Sequence, residues 1–237
     1  MKNKWITLQI GLVCICIQLL RSGEAYAQKP DLFYKAFVEN DIGSWQKELS
    51  ALATSSLSPD EELLYMEGLY GYIGWCIRDG REKEGRKYLY QMQKCLHEFS
   101  LPPFYQNLYQ SVAIGFGILL NTESPVMSGP KSIRLVNKAI RQDAGSPLGY
   151  LQKGNVLLKM PRVFGGSATK ALEYFGKAEQ LMEKDARWQK SWIYLHLLCL
   201  MSEIYTSNNE SQKAHTYYQK VKTKEPALFW LSETGKR

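Results

Sequence analysis

Histidine is scarce in this sequence of 237 residues, with three in all, and His97, His196 and His215 stand far apart. Cysteine is scarce too, and no two of the five form a C-x-x-C pair. There is no G-x-S-x-G elbow, no H-E-x-x-H helix and no Walker loop. Gly115-Phe116-Gly117 lies inside an apolar helical pattern instead of following a strand, so it is no dinucleotide loop. His196 and Cys199 are three apart and can share a helix face, but two ligands without a third do not make a zinc site. They read as a helix-surface histidine beside a core cysteine. The run Asp60-Glu61-Glu62 sits at a helix start, where negative charge suits the dipole. No residue takes a catalytic role, and the expectation is a non-enzymatic protein without cofactor or metal.

A second long apolar run is also missing. The first one, residues 5–20, follows Lys2 and Lys4 and precedes Ala25-Tyr26-Ala27, the layout of a secretory leader cleaved after Ala27. At this length, closed by Arg21 and Glu24, the run falls short of a membrane span. Cys14 and Cys16 follow bulky Val13 and Ile15, where a lipid-attachment site wants a small residue. The expected domains are thus a leader at 1–27 and one folded unit at 28–237, long enough for a sizeable core. The protein is expected to be exported, in the periplasm or envelope, with no stable transmembrane span after cleavage. The net charge of +7 is scattered at helical spacing, as on a solvated face, which argues against nucleic acid. Cys76, Cys95 and Cys199 remain after cleavage. Cys76 and Cys95 fall about 15 Å apart along neighbouring helices, too far for a bridge, so all three are expected in the core.

Strand alternation is absent throughout, whereas apolar residues recur at helical spacing. Short helices are expected over 31–38 and 42–53, the second with Ile42, Trp45, Leu49 and Leu52 on one stripe and Asp41 as cap. Ser58-Pro59-Asp60-Glu61 is a strong start for a helix over 59–78, followed by one over 82–99. Gly68, Gly71 and Gly74 inside the first of these cost about 1 kcal/mol each against alanine, which implies close approach of a neighbour. Helices over 104–120 and 131–142 flank a loop expected at 121–130. Two more are expected over 188–205 and 210–222, and the apolar tail from Ala227 to Leu231 is expected to cap the end.

The stretch 146–185 carries the clearest pattern. Tyr150, Gly154 and Leu157 lie on one helical pattern, and Ala171, Phe175 and Ala178 on the next. Gly115, Ser132 and Ala139 precede Gly154, Ala171 and Ala178 by a constant interval of about forty residues, the long end of helical-repeat periods. Leu198, Ser202, Tyr205, Ala214, Tyr218, Val221 and Pro226 follow the same scheme in the last pair. Between the helices of the clearest pair lies Pro161-Arg162-Val163-Phe164-Gly165-Gly166. Ser167 is expected to cap the second helix and Phe164 to tuck under the turn. Alternatively, the N–H groups near Gly166 and Ser167 offer an anion site.

These residues resemble the tetratricopeptide signature, with its aromatic, small and apolar positions and its A-x3-F-x2-A helix. The fold implied is all-α, an α-solenoid of about four to five tetratricopeptide-like hairpins with a C-terminal cap. Together with the P-x-x-F-G-G insertion, 147–183 also resembles exported bacterial tetratricopeptide proteins. One such group is the periplasmic T-component of TRAP transporters, for which the resemblance implies trimers with a ligand pore.

Two functions follow. In a scaffold, the first helix of each pair lines a concave groove for a peptide or protein partner. Aligned registers place Val112, Phe116, Leu119, Leu151, Asn155, Leu158, Cys199 and Glu203 there. The alternative is a small-ligand-binding accessory of a transport system. It predicts a closed, aromatic-lined cavity drawing on Tyr65, Tyr70, Tyr72, Trp75, Tyr105 and Tyr109. An open groove separates the first from the second.

Overall fold

The computed structural model describes residues 32–234; the expected leader lies outside the described residues. These form eleven α-helices and two short 3₁₀ turns, with no strand among them. In chain order the helices are α1 (Tyr34–Glu39), α2 (Ile42–Ala53), α3 (Pro59–Arg78), α4 (Glu82–Glu98), α5 (Pro103–Leu119), α6 (Pro125–Gln142), α7 (Pro147–Lys159), α8 (Ala168–Glu183), α9 (Trp192–Ser207), α10 (Ser211–Lys224) and α11 (Phe229–Thr234). No helix among the described residues is long and apolar enough to cross a membrane.

Local signals account for most boundaries. At the start of α2, Asp41 accepts from the Ser44 N–H at 3.0 Å. The capping box of α3 is complete, with the Ser58 N–H donating to Glu61 Oε2 at 3.0 Å. Ser167 caps α8 by accepting from the Lys170 N–H. The loop expected at 121–130 is instead largely helix, because α6 begins a turn and a half early. Pro125 suits the first helical position, and Ser128 N–H bonds Ser124 O at 2.8 Å. Pro130 thus falls inside the second turn, where its missing N–H forfeits one helix bond.

From α3 to α10 each helix packs on the next as antiparallel hairpins, and the first helices of successive pairs, α3 with α5 and α5 with α7, also touch. The small and large repeat positions meet in the core: Ser132, Val136, Ala139, Ala171, Phe175 and Ala178 are all buried. Ser111 and Ser132 share a buried hydrogen bond at 2.9 Å, to which Gln152 donates at 3.2 Å, tying α5, α6 and α7 together. Cys76, Cys95 and Cys199 are free and buried.

The two ends of the described chain meet. Helix α1 contacts both α9 and α11, and Tyr34 donates its hydroxyl to Glu225 at 2.9 Å. Trp192, the first residue of α9, is the keystone. Its ring lies 5.7 Å from Phe37, 5.0 Å from Trp45 and 5.9 Å from Tyr70. Its Nε1–H donates to Glu67 at 2.9 Å, across 125 residues of sequence. The glycines of α3 make this possible. A Cβ at Gly68 would overlap Phe33 and Leu49, and one at Gly71 would overlap Trp45 and Trp192. The close approach expected at these glycines is therefore made by aromatic side chains at Gly68 and Gly71. Gly74 has no atom within 4 Å of its would-be Cβ.

Candidate functional site

Inside the closed array lies a cavity of about 1630 Å³. Its walls come chiefly from the first helix of each pair, α3, α5, α7 and α9, with α1, α6 and the residues around α11 completing it. The deep part is aromatic. Tyr70 stacks on Phe116 at 5.7 Å and leans on Trp192, while Trp45 meets Trp75 edge-on at 5.9 Å. Gly74 and Gly115 also line it, and a Cβ on either would meet nothing within 4 Å. Glycine in a helix interior costs about 1 kcal/mol relative to alanine. Here no packing contact offsets that cost, and its effect is open space.

Polar groups in the deep part are held neutral. Burial pushes the Tyr70 phenol up to about 12, and its oxygen accepts from Asn155 Nδ2 at 3.2 Å. Burial raises the Cys199 thiol, with nearby Glu203 adding to it. His196 lies between the rings of Phe37 and Trp192. Burial, reinforced by the nearby Arg78 guanidinium, lowers it to about 4. The Nε1–H of Trp75 is buried on the wall without a hydrogen-bond partner, an omission worth about 1–3 kcal/mol. Formal charge is confined to the rim. Arg78 bonds Asp79 at 2.8 Å and Asn40 at 3.2 Å and lies over Trp75, and Glu203 accepts from Trp230 Nε1 at 2.8 Å.

The structure brings together six of the eight sequence-derived groove residues. Val112, Phe116, Leu119, Asn155, Cys199 and Glu203 line the cavity. Leu151 and Leu158 do not. The cavity face of α7 is Gln152, Asn155, Val156 and Lys159, a helical stripe. Leu151 and Leu158 belong to the adjacent stripe, turned into the core with Gly154, which packs on Phe175. Of the six aromatics considered for a closed pocket, Tyr70 and Trp75 line it, whereas Tyr65, Tyr72, Tyr105 and Tyr109 pack in the core. His196, expected on the helix surface, is half-buried in the cavity.

Phe164 does not tuck under its turn. It is half exposed at the cavity rim. The turn is held by backbone instead: Gly165 adopts φ +93°, a Cβ on Gly166 would overlap the Met160 carbonyl, and Ser167 N–H bonds Leu157 O at 3.0 Å. The tail is anchored by buried Leu228, while Phe229 stays partly exposed and lines the cavity.

Sequence reasoning missed Phe37, Trp45 and Trp192 as wall residues. Their aromatic character in otherwise ordinary helical stripes carried no position, because the contacts that define them span the whole chain. Compared with protein-family models and with curated proteins, the sequence matches neither a model nor a protein.

Proposed function

We propose that this chain is an exported, non-enzymatic, ligand-binding protein built on a tetratricopeptide-type α-solenoid that closes on itself. The observation that carries the reading is the closure: α1 meets α9 and α11, so the concave face becomes a deep cavity with one open end. A deep, aromatic-lined cavity open at one end favours a small-ligand accessory over a scaffold with a groove running past both termini. Its uncharged depth suits the apolar part of a ligand, since an unpaired charge buried there carries a large desolvation cost. The leader-like residues 1–27 support export, and the repeat positions buried between hairpins support the solenoid type.

The test uses phenylnaphthylamine, an uncharged apolar fluorophore. Saturable binding to the wild-type protein is expected, weakened at least about tenfold in the double variant Gly74→Leu/Gly115→Leu, whose side chains project into the void where the wall is otherwise open. Ten-fold corresponds to about 1.4 kcal/mol, less than one buried leucine. Equal binding by wild type and variant would place the fluorophore elsewhere and defeat the reading.

One observation favours a second reading. The cavity exceeds the roughly 300–1,000 Å³ of a usual small-molecule site and reaches the rim at Leu119, Val126 and Phe164. A segment of a partner protein would use that extra space. Recovery of one discrete envelope protein by crosslinking, lost in the same double variant, would favour this scaffold reading.

A further inference from the structure

The end of the array where the cavity reaches the surface has a character of its own. Short connections between antiparallel neighbours place the C-terminal ends of α3, α5, α7 and α9 together at this end. Two tips carry large apolar side chains into solvent. At the start of α6, Val126 is 62% and Met127 82% exposed; on the insertion after α7, Val163 is 85% and Phe164 50% exposed. No other described large hydrophobic reaches this degree of exposure except Tyr90. Val126 and Phe164 both line the cavity, so both tips stand at its rim. Large apolar side chains held this far into solvent mark a contact site.

The insertion after α7 is basic, whereas Glu123 precedes the α6 tip and Glu203 stands elsewhere on the cavity rim. Lys159, Arg162 and Lys170 bracket Val163 and Phe164, and no acidic residue lies between positions 158 and 172. All three are exposed, and among the described residues no acid forms an ion pair with them. The acids at neighbouring tips are engaged elsewhere: Asp79 with Arg78, Glu84 with Arg81, Glu210 with Lys213. Glu123 accepts from the Ser128 hydroxyl.

We propose that this end docks onto the surface of an anionic lipid bilayer. Apolar side chains on short tips suit shallow insertion at the headgroup boundary, and the unpaired cations complement anionic headgroups. An anionic bilayer meets both features at once, since its headgroups complement Lys159, Arg162 and Lys170 while its boundary accepts the apolar tips. In this orientation the cavity mouth faces the membrane. The docking rests on the tips alone and stands or falls separately from the ligand reading.

Flotation of the protein with vesicles tests it. With phosphatidylglycerol/phosphatidylcholine vesicles at low salt the protein is expected to float, and with pure phosphatidylcholine to float at least about tenfold less. Salt at 0.5 M weakens the charge contribution by shortening the screening length to roughly 4–5 Å. Lys159→Gln and Arg162→Gln are each expected to lower partitioning about fivefold, the value of one cation near an anionic surface. Val163→Ser/Phe164→Ser and Met127→Ser are expected to lower it about tenfold or more, with unchanged circular dichroism and melting because these side chains are exposed. Gly74→Leu/Gly115→Leu is expected to bind vesicles as wild type does. Failure to float with anionic vesicles, or flotation unchanged in the tip variants, would overturn the proposal.

Discussion

The α5/α6 and α7/α8 hairpins share one register and fill it differently. In the second, Gly154 receives the Phe175 ring so closely that a Cβ would overlap it. In the first, the equivalent pair is Gly115 and Val136. Val136 is fully buried, yet nothing comes within 4 Å of a Cβ on Gly115. A ring exchanged for a smaller side chain leaves one glycine as a socket and the other as an open wall. The same contrast recurs within α3, where Gly71 holds Trp45 and Trp192 while Gly74 faces the cavity. Repeat sequence sets where helices cross; the size of the side chain opposite each small residue decides whether the crossing is closed or leaves space.

The comparison breaks most visibly on leucine. Gly154→Leu is expected to destabilise by about 3 kcal/mol, the upper range for overpacking, whereas Gly115→Leu should stay within about 1 kcal/mol of wild type, the scale of the helix-propensity gain. Urea unfolding of both variants reads the difference, and equal losses would erase the distinction between socket and wall.

The next effect concerns the closure. Trp192→Phe keeps a ring against Trp45 but removes the indole donor to Glu67. A loss of about 1.5–3 kcal/mol is expected for a hydrogen bond to a charged group. Proteolysis near α1 should rise with it, since α1 is held partly through Phe37 on Trp192.

A third effect is pH-dependent. The unfolded chain protonates His196 near 6.5, and the folded protein only at about 4. Between these values the unfolded state holds more protons, so stability falls as pH drops from 6.5 towards 4 and levels off below. The contribution is of order 1–3 kcal/mol at 1.36 kcal/mol per pKa unit. Urea midpoints across that range should slope for wild type and flatten for His196→Gln.

The smallest effect is a gain. Gly115→Ala should stabilise by up to about 1 kcal/mol through helix propensity, raising the melting temperature by a few degrees. A loss would mean that the wall is already in contact.

Much of this frame was legible in the sequence. Ser58 and Glu61 announced the start of α3, and the recurring small and large residues announced the α5/α6 and α7/α8 pairs, because such signals act within one or two turns. Of the eight residues that register set on one face, six line the cavity. Leu151 and Leu158 failed because a step of one residue rotates a helix by 100°, enough to move a side chain from wall to core. Pro130 misled because proline was read as the end of a loop when it sits one turn inside a helix. The closure itself was not legible. Trp192 with Glu67, and Tyr34 with Glu225, join residues far apart in the chain, and no local pattern records such a pairing.

Native mass spectrometry of the protein purified from its own cells tests the central claim most directly, run beside Gly74→Leu/Gly115→Leu. A discrete bound mass on the wild type, missing from the variant, is the predicted result. Bare wild-type protein, or the same adduct on both, would contradict the assignment of the cavity as a ligand site.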